Sequence, residues 1–153
     1  MAEGPPLPSS VAHQPSTMAT NLLVEIVSPD GAAFRGEAVS FRAPGVEGGF
    51  EILRNHAPLL AATGVGPVYV TMPDGKVATF ATAGGFVEVL DNHVIMLAES
   101  AEPASDIDVE RARAAEERAK ERIAAAQSPE ERAEAQAEAE RARNRLRTAM
   151  GKV

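Results

Sequence analysis

Residues Ile107–Arg122 read IDVERARAAEERAKER, and this stretch marks the point where the fold changes. It contains no glycine or proline and consists mainly of alanine, glutamate and arginine, which are strong helix formers. Before Pro103 the chain is broken every few residues by turn-forming residues, whereas after it glycine is absent until Gly151. We therefore predict a helical domain over residues 104–153 that follows a domain of different architecture over residues 18–103.

The first helix of the C-terminal domain is predicted to begin at a variant of the capping box. Ser105 can cap the helix, and Asp108 follows three residues later in the place usually taken by glutamate. The expected helix runs from about Asp106 to Ala126.

A second helix has its own start signal. Ser128 is a candidate N-cap, Pro129 suits the first helical position, and Glu131 completes a capping box. This helix should end near Ala149. Because the connection between the helices is so short, we expect an antiparallel two-helix hairpin.

The region before Pro103 has the pattern of short β-strands separated by turns. Pro73-Asp74-Gly75 and Asp91-Asn92-His93 each separate two apolar runs and predict hairpin turns. Alternation places Val68, Val70 and Met72 on one face, while Phe86, Val87, Val89 and Leu90 suggest burial on both faces. Turns this frequent predict antiparallel strands in a β-sandwich or a β-barrel. The predicted fold class is thus α+β. The expected strands are NLLVEIV, AVSFRA, GGFEIL, VYVTM, KVATFAT, FVEVL and VIMLAE.

Composition excludes several functional classes. The 153 residues include no cysteine, which excludes disulfides and thiolate chemistry, and no apolar run of transmembrane length. Residues 1–103 carry 4 basic and 11 acidic residues, whereas the remainder is balanced. An acidic front half with few aromatic residues argues against nucleic-acid binding. Residues 1–17 are rich in proline and serine and are predicted to be a disordered leader, without the features of a signal peptide.

Large apolar side chains are scarce in the predicted hairpin, which otherwise offers only alanine. Full burial of a large aliphatic side chain contributes roughly 1.5–3 kcal/mol, and one methyl group about 0.8 kcal/mol. The contact between the helices should therefore be weak, which favours a movable hairpin; a hairpin fixed on the sandwich remains the alternative. The large apolar residues are Ile107, Val109, Ile123, Leu146 and Met150.

Four arginines of the hairpin are expected to share one patch with two carboxylates. Residues three or four apart lie on the same helix face, and an antiparallel hairpin brings the two helices level. Several guanidinium groups together favour an anion such as a triphosphate. The alternative is a set of salt bridges to the many glutamates across the hairpin. The residues concerned are Arg111, Arg118, Arg141, Arg145, Asp108 and Glu102.

No catalytic site is evident. His13, His56 and His93 show no metal-ligand spacing, and neither glycine-rich turn matches a phosphate-binding loop. A hydrolase that uses His56 as base is disfavoured because no serine or cysteine nucleophile motif accompanies it. We expect His56 to hold a loop through backbone hydrogen bonds.

These features together resemble the epsilon subunit of bacterial F-type (F1Fo) ATP synthases. The similarity covers Met18–Val153 and combines four parts in order. They are the opening NLLVEIVSPDG, the glycine-rich turn before RNHAPLL, the stretch GGFVEVLDNHVIMLAESAE, and IDVERA.

The resemblance implies a ten-stranded β-sandwich with a helical hairpin in a non-catalytic subunit of the central stalk. Such a subunit couples rotation to ATP synthesis, and its hairpin can extend into the catalytic head and inhibit ATP hydrolysis. The implied partners are the gamma subunit, the c-ring and the alpha/beta head. The implied location is peripheral, on the cytoplasmic face of the bacterial inner membrane, without membrane insertion.

The resemblance also implies a ligand. In several bacterial members the folded hairpin binds ATP through an Ile/Leu-Asp-x-x-Arg-Ala motif, so ATP is expected as a regulatory ligand and no cofactor is required. The alternative is a purely structural stalk module without nucleotide sensing. Ile107, Asp108, Arg111 and Ala112 match the motif, and Glu102, Arg118, Arg141 and Arg145 match the supporting residues by position.

Overall fold

The computed structural model describes residues 21–151, so the predicted leader 1–17 lies outside the described residues. Within them the chain forms eight strands, a 3-10 turn and two helices. The strands are β1 (Leu22–Ser28), β2 (Gly31–Ala38), β3 (Ser40–Ala43), β4 (Phe50–Leu53), β5 (Leu59–Thr71), β6 (Val77–Leu90), β7 (His93–Ala98) and β8 (Ala101–Pro103). The turn covers Ala104–Asp106, and the helices are α1 (Val109–Ala125) and α2 (Pro129–Ala149).

The strands are hydrogen-bonded in the order β2-β1-β7-β6-β5-β3-β4, and β8 pairs with β6. Every pair of these strands is antiparallel except β1 and β7, which run parallel. The long strands β5 and β6 lie in the middle of this order and take part in both halves of the sheet. The sheet folds over along them, so that its two halves form facing layers. The predicted β-sandwich followed by a helical hairpin is confirmed.

The core lies between the two layers. From the β1–β7 side come Leu22, Val24, Ile26, Val87, Val89, Val94 and Met96, and from the β3–β4 side come Phe41, Ile52, Val68, Val70 and Phe80. Nearly all of these side chains are fully shielded from solvent. A core built from both layers makes the sandwich the rigid part of the molecule.

Both predicted hairpin turns are present. At the β5–β6 turn the amide of Gly75 donates to the carbonyl of Met72, and the amide of Lys76 donates to Asp74 Oδ1. At the β6–β7 turn Asp91 and Asn92 both have positive φ, as a two-residue turn of this kind requires.

The strand count differs from the implied ten because β5 and β6 each run through without a break. The ladder between them skips Gly64 and Gly84 but resumes on both sides. At Gly85, φ is +147° and a Cβ atom would lie 2.0 Å from the carbonyl oxygen of Leu97. Glycine lets the long strand bend here against its neighbour instead of ending.

The prediction that both faces of β6 are buried is wrong. Val87 and Val89 lie in the core, but Phe86 and Leu90 are 57% and 53% exposed. Four apolar residues within five positions resemble a doubly buried strand, whereas only one face of β6 meets the opposite layer. The other face leaves a set of large apolar side chains on the surface.

The predicted start of the first helix is also wrong, whereas that of the second is confirmed. Asp108 is the N-cap of α1, and its Oδ1 accepts the backbone N–H of Arg111 at 3.1 Å. Ile107 is buried in extended conformation, which separates the turn at Ser105 from the helix. In α2, Ser128 Oγ accepts the N–H of Glu131 at 3.1 Å, as predicted.

The hairpin rests on the sandwich through α2, which contacts β5 and β6, while α1 packs on α2. The buried residues of the two helices are small: Ala112 and Ala119 in α1, and Ala135, Ala139, Ala142, Asn144 and Thr148 in α2. In residues 21–151 no helix combines the length and the apolar character needed to cross a bilayer.

The outer face of the β1–β7 layer carries an ion cluster that makes stability pH-dependent. Glu25 lies 2.8 Å from His93 Nε2 and accepts from Arg35 Nε at 2.9 Å, and these contacts, first that with His93, lower the pKa of Glu25 below its ordinary 4.5. The stabilisation is therefore complete above about pH 4.5 and is lost as the pH falls through the lower folded-state pKa.

We predict that Glu25→Gln lowers the free energy of unfolding at pH 7 and that its deficit shrinks as the pH falls below 4.5. Urea unfolding of both proteins between pH 7 and 3 measures this. Glu88→Gln, at an exposed position on the same face, is the control. A deficit of Glu25→Gln that stays constant across this range would contradict the prediction.

Candidate nucleotide site between the hairpin and the sandwich

Two adjoining hollows lie along the hairpin, and Arg145 lines both of them. One, of about 280 Å³, lies between α1 and α2, and the other, of about 210 Å³, lies where the start of α1 meets β8. Arg118 and Arg141 line the first hollow. Glu102, Ile107, Asp108, Arg111 and Ala112 line the second. The structure thus brings all eight predicted site residues to one continuous surface.

The start of α1 is held in place by its cap. The carboxylate of Asp108 at the helix N-terminus binds the backbone of Arg111, and the adjacent side chain of Ile107 is buried. Ala112, one turn into the helix, is 2% exposed and allows the neighbouring elements to approach closely. The motif therefore forms a fixed wall from which the exposed guanidinium of Arg111 projects.

Two arginines beside the predicted patch are paired with glutamates across the hairpin. Arg122 of α1 bonds to Glu138 of α2, which raises the pKa of Arg122, and Arg143 lies 4.0 Å from Glu116. These pairs match the alternative that we weighed for the arginines. The arginines of both pairs are exposed and the glutamates are half-buried, so water still screens the pairs and each contributes modestly to stability.

Three other arginines of the site have no such partner. Within residues 21–151, Arg111, Arg118 and Arg141 make no ion pair within 4.0 Å. Arg118 and Arg141 come from different helices and face the same hollow. Of the four arginines in the predicted patch, three therefore remain open to an external anion, and Arg145 lies beside Glu102.

Arg145 connects the hairpin to the sandwich through Glu102 of β8. Arg145 Nε lies 3.1 Å from Glu102 Oε1, but the N–H is not aimed at the oxygen, so the contact is an ion pair without a hydrogen bond. This oxygen is buried and accepts no hydrogen bond from the described residues. The Glu102 side chain as a whole is 38% exposed, so its carboxylate can accept from a ligand hydroxyl or amine.

The arrangement separates two kinds of chemistry along the same surface. The hollow between the helices presents cations suited to phosphate oxygens. The hollow at β8 presents carboxylates suited to amine and hydroxyl donors, next to the apolar side chain of Ile107. Together the hollows fall within the range of roughly 300–1,000 Å³ that is typical of small-molecule sites. Such a surface matches a nucleoside polyphosphate.

The sequence analysis missed five residues that line these hollows. Arg122 lies one turn after Arg118 on the same helix face, so the i, i+4 spacing could have indicated it. Its partner Glu138 and the short side chains of Ala115 and Ala142 depend on the pairing of the helices, which the sequence alone does not give. Asp106 is the fifth.

The structure confirms that His56 holds its loop through contacts with backbone carbonyl groups. Its Nδ1 lies 2.7 Å from the carbonyl oxygen of Ala57, and its amide donates to the carbonyl of Leu53 at 3.2 Å. In the part of the chain that the structure describes, no three His, Cys, Asp or Glu side chains are grouped so that they could hold a metal ion.

Two family models match consecutive parts of the chain and together cover residues 21–150. Residues 21–104 match the β-sandwich domain of the ATP synthase delta/epsilon chain, and residues 105–150 match its long α-helix domain. The two matches meet where β8 gives way to the helical region.

Curated relatives agree with this match. An ATP synthase epsilon chain of Salinibacter ruber is 52% identical over 145 residues, which cover 89% of this chain and 97% of the relative. One from Nitratidesulfovibrio vulgaris is 43% identical over 130 residues, covering 85% and 96%. The predicted resemblance to epsilon subunits is thereby confirmed.

Solved structures carry the same fold at low sequence identity. A chain of the Euglena gracilis mitochondrial ATP synthase superposes with a TM-score of 0.72 at 20% identity, covering 79% of this chain and 76% of that chain. A chain from the central stalk and c-ring of the Tetrahymena thermophila enzyme gives a TM-score of 0.54 at 14% identity, covering 84% and 96%. From the matches of sequence and fold together, this chain belongs to the family of ATP synthase delta/epsilon chains.

Proposed function

We propose that this chain is a non-catalytic central-stalk subunit of a bacterial proton-translocating F-type ATP synthase and that its hairpin regulates ATP hydrolysis by binding ATP. Family membership supports the place in the complex. The observation that carries the regulatory part is the convergence of Arg118, Arg141 and Arg145 from both helices beside Glu102 of the sandwich.

In the proposed complex the triphosphate lies in the hollow between the helices. There Arg118 and Arg141 have no carboxylate within ion-pair distance among residues 21–151, so a polyanion gains charge-assisted hydrogen bonds without first breaking a pair. The base and ribose lie toward β8, where Glu102 accepts from their donors. Arg145 lines both hollows and contacts both parts of the ligand.

The weak contact between the helices lets this ligand act as a switch. Alanine side chains bury little area, and the arginines of the ion pairs between the helices remain exposed to solvent. A ligand that binds only the closed form stabilises it by RT ln(1 + [L]/Kd), about 2.7 kcal/mol at a hundredfold excess over Kd. When ATP is scarce the hairpin opens and extends toward the catalytic head, where it inhibits hydrolysis.

The C-terminal half of α2 is suited to that second position. Arg141, Arg143, Arg145 and Arg147 are all exposed along it. In the extended hairpin they meet acidic surface of the alpha/beta head, and electrostatic attraction orients that encounter. Lys152, which the sequence also places at this basic end, lies outside the described residues.

The outer face of the β1–β7 layer is the proposed surface for the gamma subunit. Phe86 pairs with Leu97 across β6 and β7, and both are more than half exposed. Leu23, Leu60 and Leu90 on neighbouring positions are also 46–71% exposed. Several large apolar side chains exposed on one face of a rigid sheet are typical of a protein interface.

A second candidate function has its own support. Arg122–Glu138, Arg143–Glu116 and Arg145–Glu102 hold the closed hairpin without any ligand. A purely structural stalk module whose hairpin stays on the sandwich would use these same contacts. The two functions differ in what removal of the hairpin does to the assembled enzyme.

Isothermal titration of ATP into the isolated protein tests the site. We expect binding in the wild type and at least tenfold weaker binding in Arg111→Ala and Arg145→Ala, because each loses a charge-assisted hydrogen bond. Arg113→Ala is the matched control, since Arg113 is an exposed arginine paired with Glu110 outside the hollows. No heat from the wild type at millimolar ATP removes the sensing role, and undiminished binding in both site variants removes this site.

Deletion from Ala104 onward separates regulation from structure. The regulatory proposal predicts an ATP synthase that assembles and hydrolyses ATP faster than the wild type, because the inhibitory element is gone. The structural alternative predicts loss of assembly. Purification of the complex followed by a hydrolysis assay distinguishes these results.

The gamma surface is tested by placing a charge in it. Phe86→Glu should weaken co-purification with the gamma subunit at least tenfold, since it buries an unpaired carboxylate in the interface. Val77→Glu, at an exposed apolar position at the other end of β6, should leave co-purification unchanged. Equal effects of the two substitutions would contradict the assignment of this face.

A further inference from the structure

Three of the five buried polar side chains among the described residues lie where α2 meets the sheet. They are Thr82 of β6 and Asn144 and Thr148 of α2, exposed by 1%, 2% and 4%. Asn144 Nδ2 donates to the backbone carbonyl of Thr82 at 3.1 Å, and Thr148 Oγ1 lies 3.5 Å from Asn144 Oδ1. Thr82 Oγ1 in turn donates to the carbonyl of Gly66 in β5 at 3.0 Å. The result is a buried polar chain from the helix into the sandwich.

The first bond of this chain joins the mobile domain directly to the rigid one. Because a backbone carbonyl can only accept, the amide group of Asn144 must present its nitrogen to Thr82. Few positions of α2 along the sheet allow this bond, whereas contacts between alanine methyl groups tolerate sliding. This directional bond, beside the ion pair of Arg145 with Glu102, therefore fixes the register of the two elements.

This bond lies next to the proposed nucleotide site on both elements. Asn144 precedes Arg145, and Thr82 follows Ala81, which stands opposite Glu102 in the β6–β8 ladder. A shift of α2 that breaks the bond between Asn144 and Thr82 therefore also moves Arg145 away from Glu102.

We propose that Asn144 is a positioning residue: its hydrogen bond to the carbonyl of Thr82 sets the docked register of α2 and thereby assembles the two halves of the nucleotide site. The inference rests on the proposed function for the existence of an undocked state. We call this hydrogen bond the latch. In the undocked state water hydrogen-bonds to both of its partners, so the net free energy of the latch is small enough for the hairpin to open reversibly.

Distance measurements between two spin labels test the latch without nucleotide. The chain has no cysteine, so Glu140→Cys on α2 and Lys76→Cys in the β5–β6 turn, both at exposed positions, give one defined pair. In this labelled background Asn144→Asp and Asn144→Leu are compared with the unsubstituted residue. Arg147→Gln, an exposed position on α2, is the control.

The two substitutions separate the hydrogen bond from packing. An ionised aspartate cannot donate and faces the carbonyl oxygen of Thr82, whereas leucine keeps the side-chain volume but leaves that oxygen without its donor. We expect the ratio of docked to undocked hairpin to fall about tenfold or more in both, with no change in Arg147→Gln. Thermal unfolding of the sandwich, whose core does not include Asn144, should be unchanged and shows that the variants fold.

The outcomes separate the latch from nucleotide sensing. An unchanged docked population in both Asn144 variants overturns the proposal, and loss in Asn144→Asp alone also overturns it, because packing then suffices. Undocking in both variants establishes the latch whatever ATP does. Recovery of the docked population on adding ATP to Asn144→Leu then supports the sensing role, and its absence counts against the proposed function only.

Discussion

The contact between α1 and α2 is made mainly of alanine methyl groups. Because these groups bury little area, the contact holds the hairpin closed only weakly. Ala112 and Ala119 of one helix and Ala135 and Ala139 of the other are almost fully shielded. The same residues that make each helix form readily leave the pair weakly held. Groups outside this contact, namely the ion pairs and the sheet, therefore carry much of the hold on the hairpin, and the proposed polyanion would add to it.

The sandwich supplies the opposite property. Its core takes large aliphatic and aromatic side chains from both layers, and the long strands β5 and β6 tie the layers together without a break. The molecule thus combines a rigid β-sandwich with a more weakly held helical hairpin. Glu102 belongs to the sandwich and Arg145 to the hairpin, so the ion pair between them forms only when the hairpin lies on the sandwich. A ligand that bridges them couples its own concentration to that position.

The sequence predicted the division between sheet and hairpin and the start of α2 at Ser128, because both depend on local composition and capping. It placed the start of α1 at Ser105, where the burial of Ile107 overrides the local signal. It did not indicate β2, or the parallel pairing of β1 with β7, because these depend on which strands meet. Exposure of Phe86 could not be read from an apolar run, which looks the same whether it faces a core or a partner.

Helical spacing indicated the four arginines with Asp108 and Glu102, and the resemblance added Ile107, Ala112 and ATP as the ligand. The convergence of these residues depends on the pairing of α1 with α2 and of α2 with the sheet. Hydrogen–deuterium exchange of the isolated protein, with and without saturating ATP, tests the central claim most directly. If the hairpin needs a polyanion to stay closed, ATP slows exchange at the amides of α1 and α2 and leaves exchange at the amides of β1 and β7 unchanged. Equal protection of both helices with and without ATP, at the level of the core strands, would contradict it.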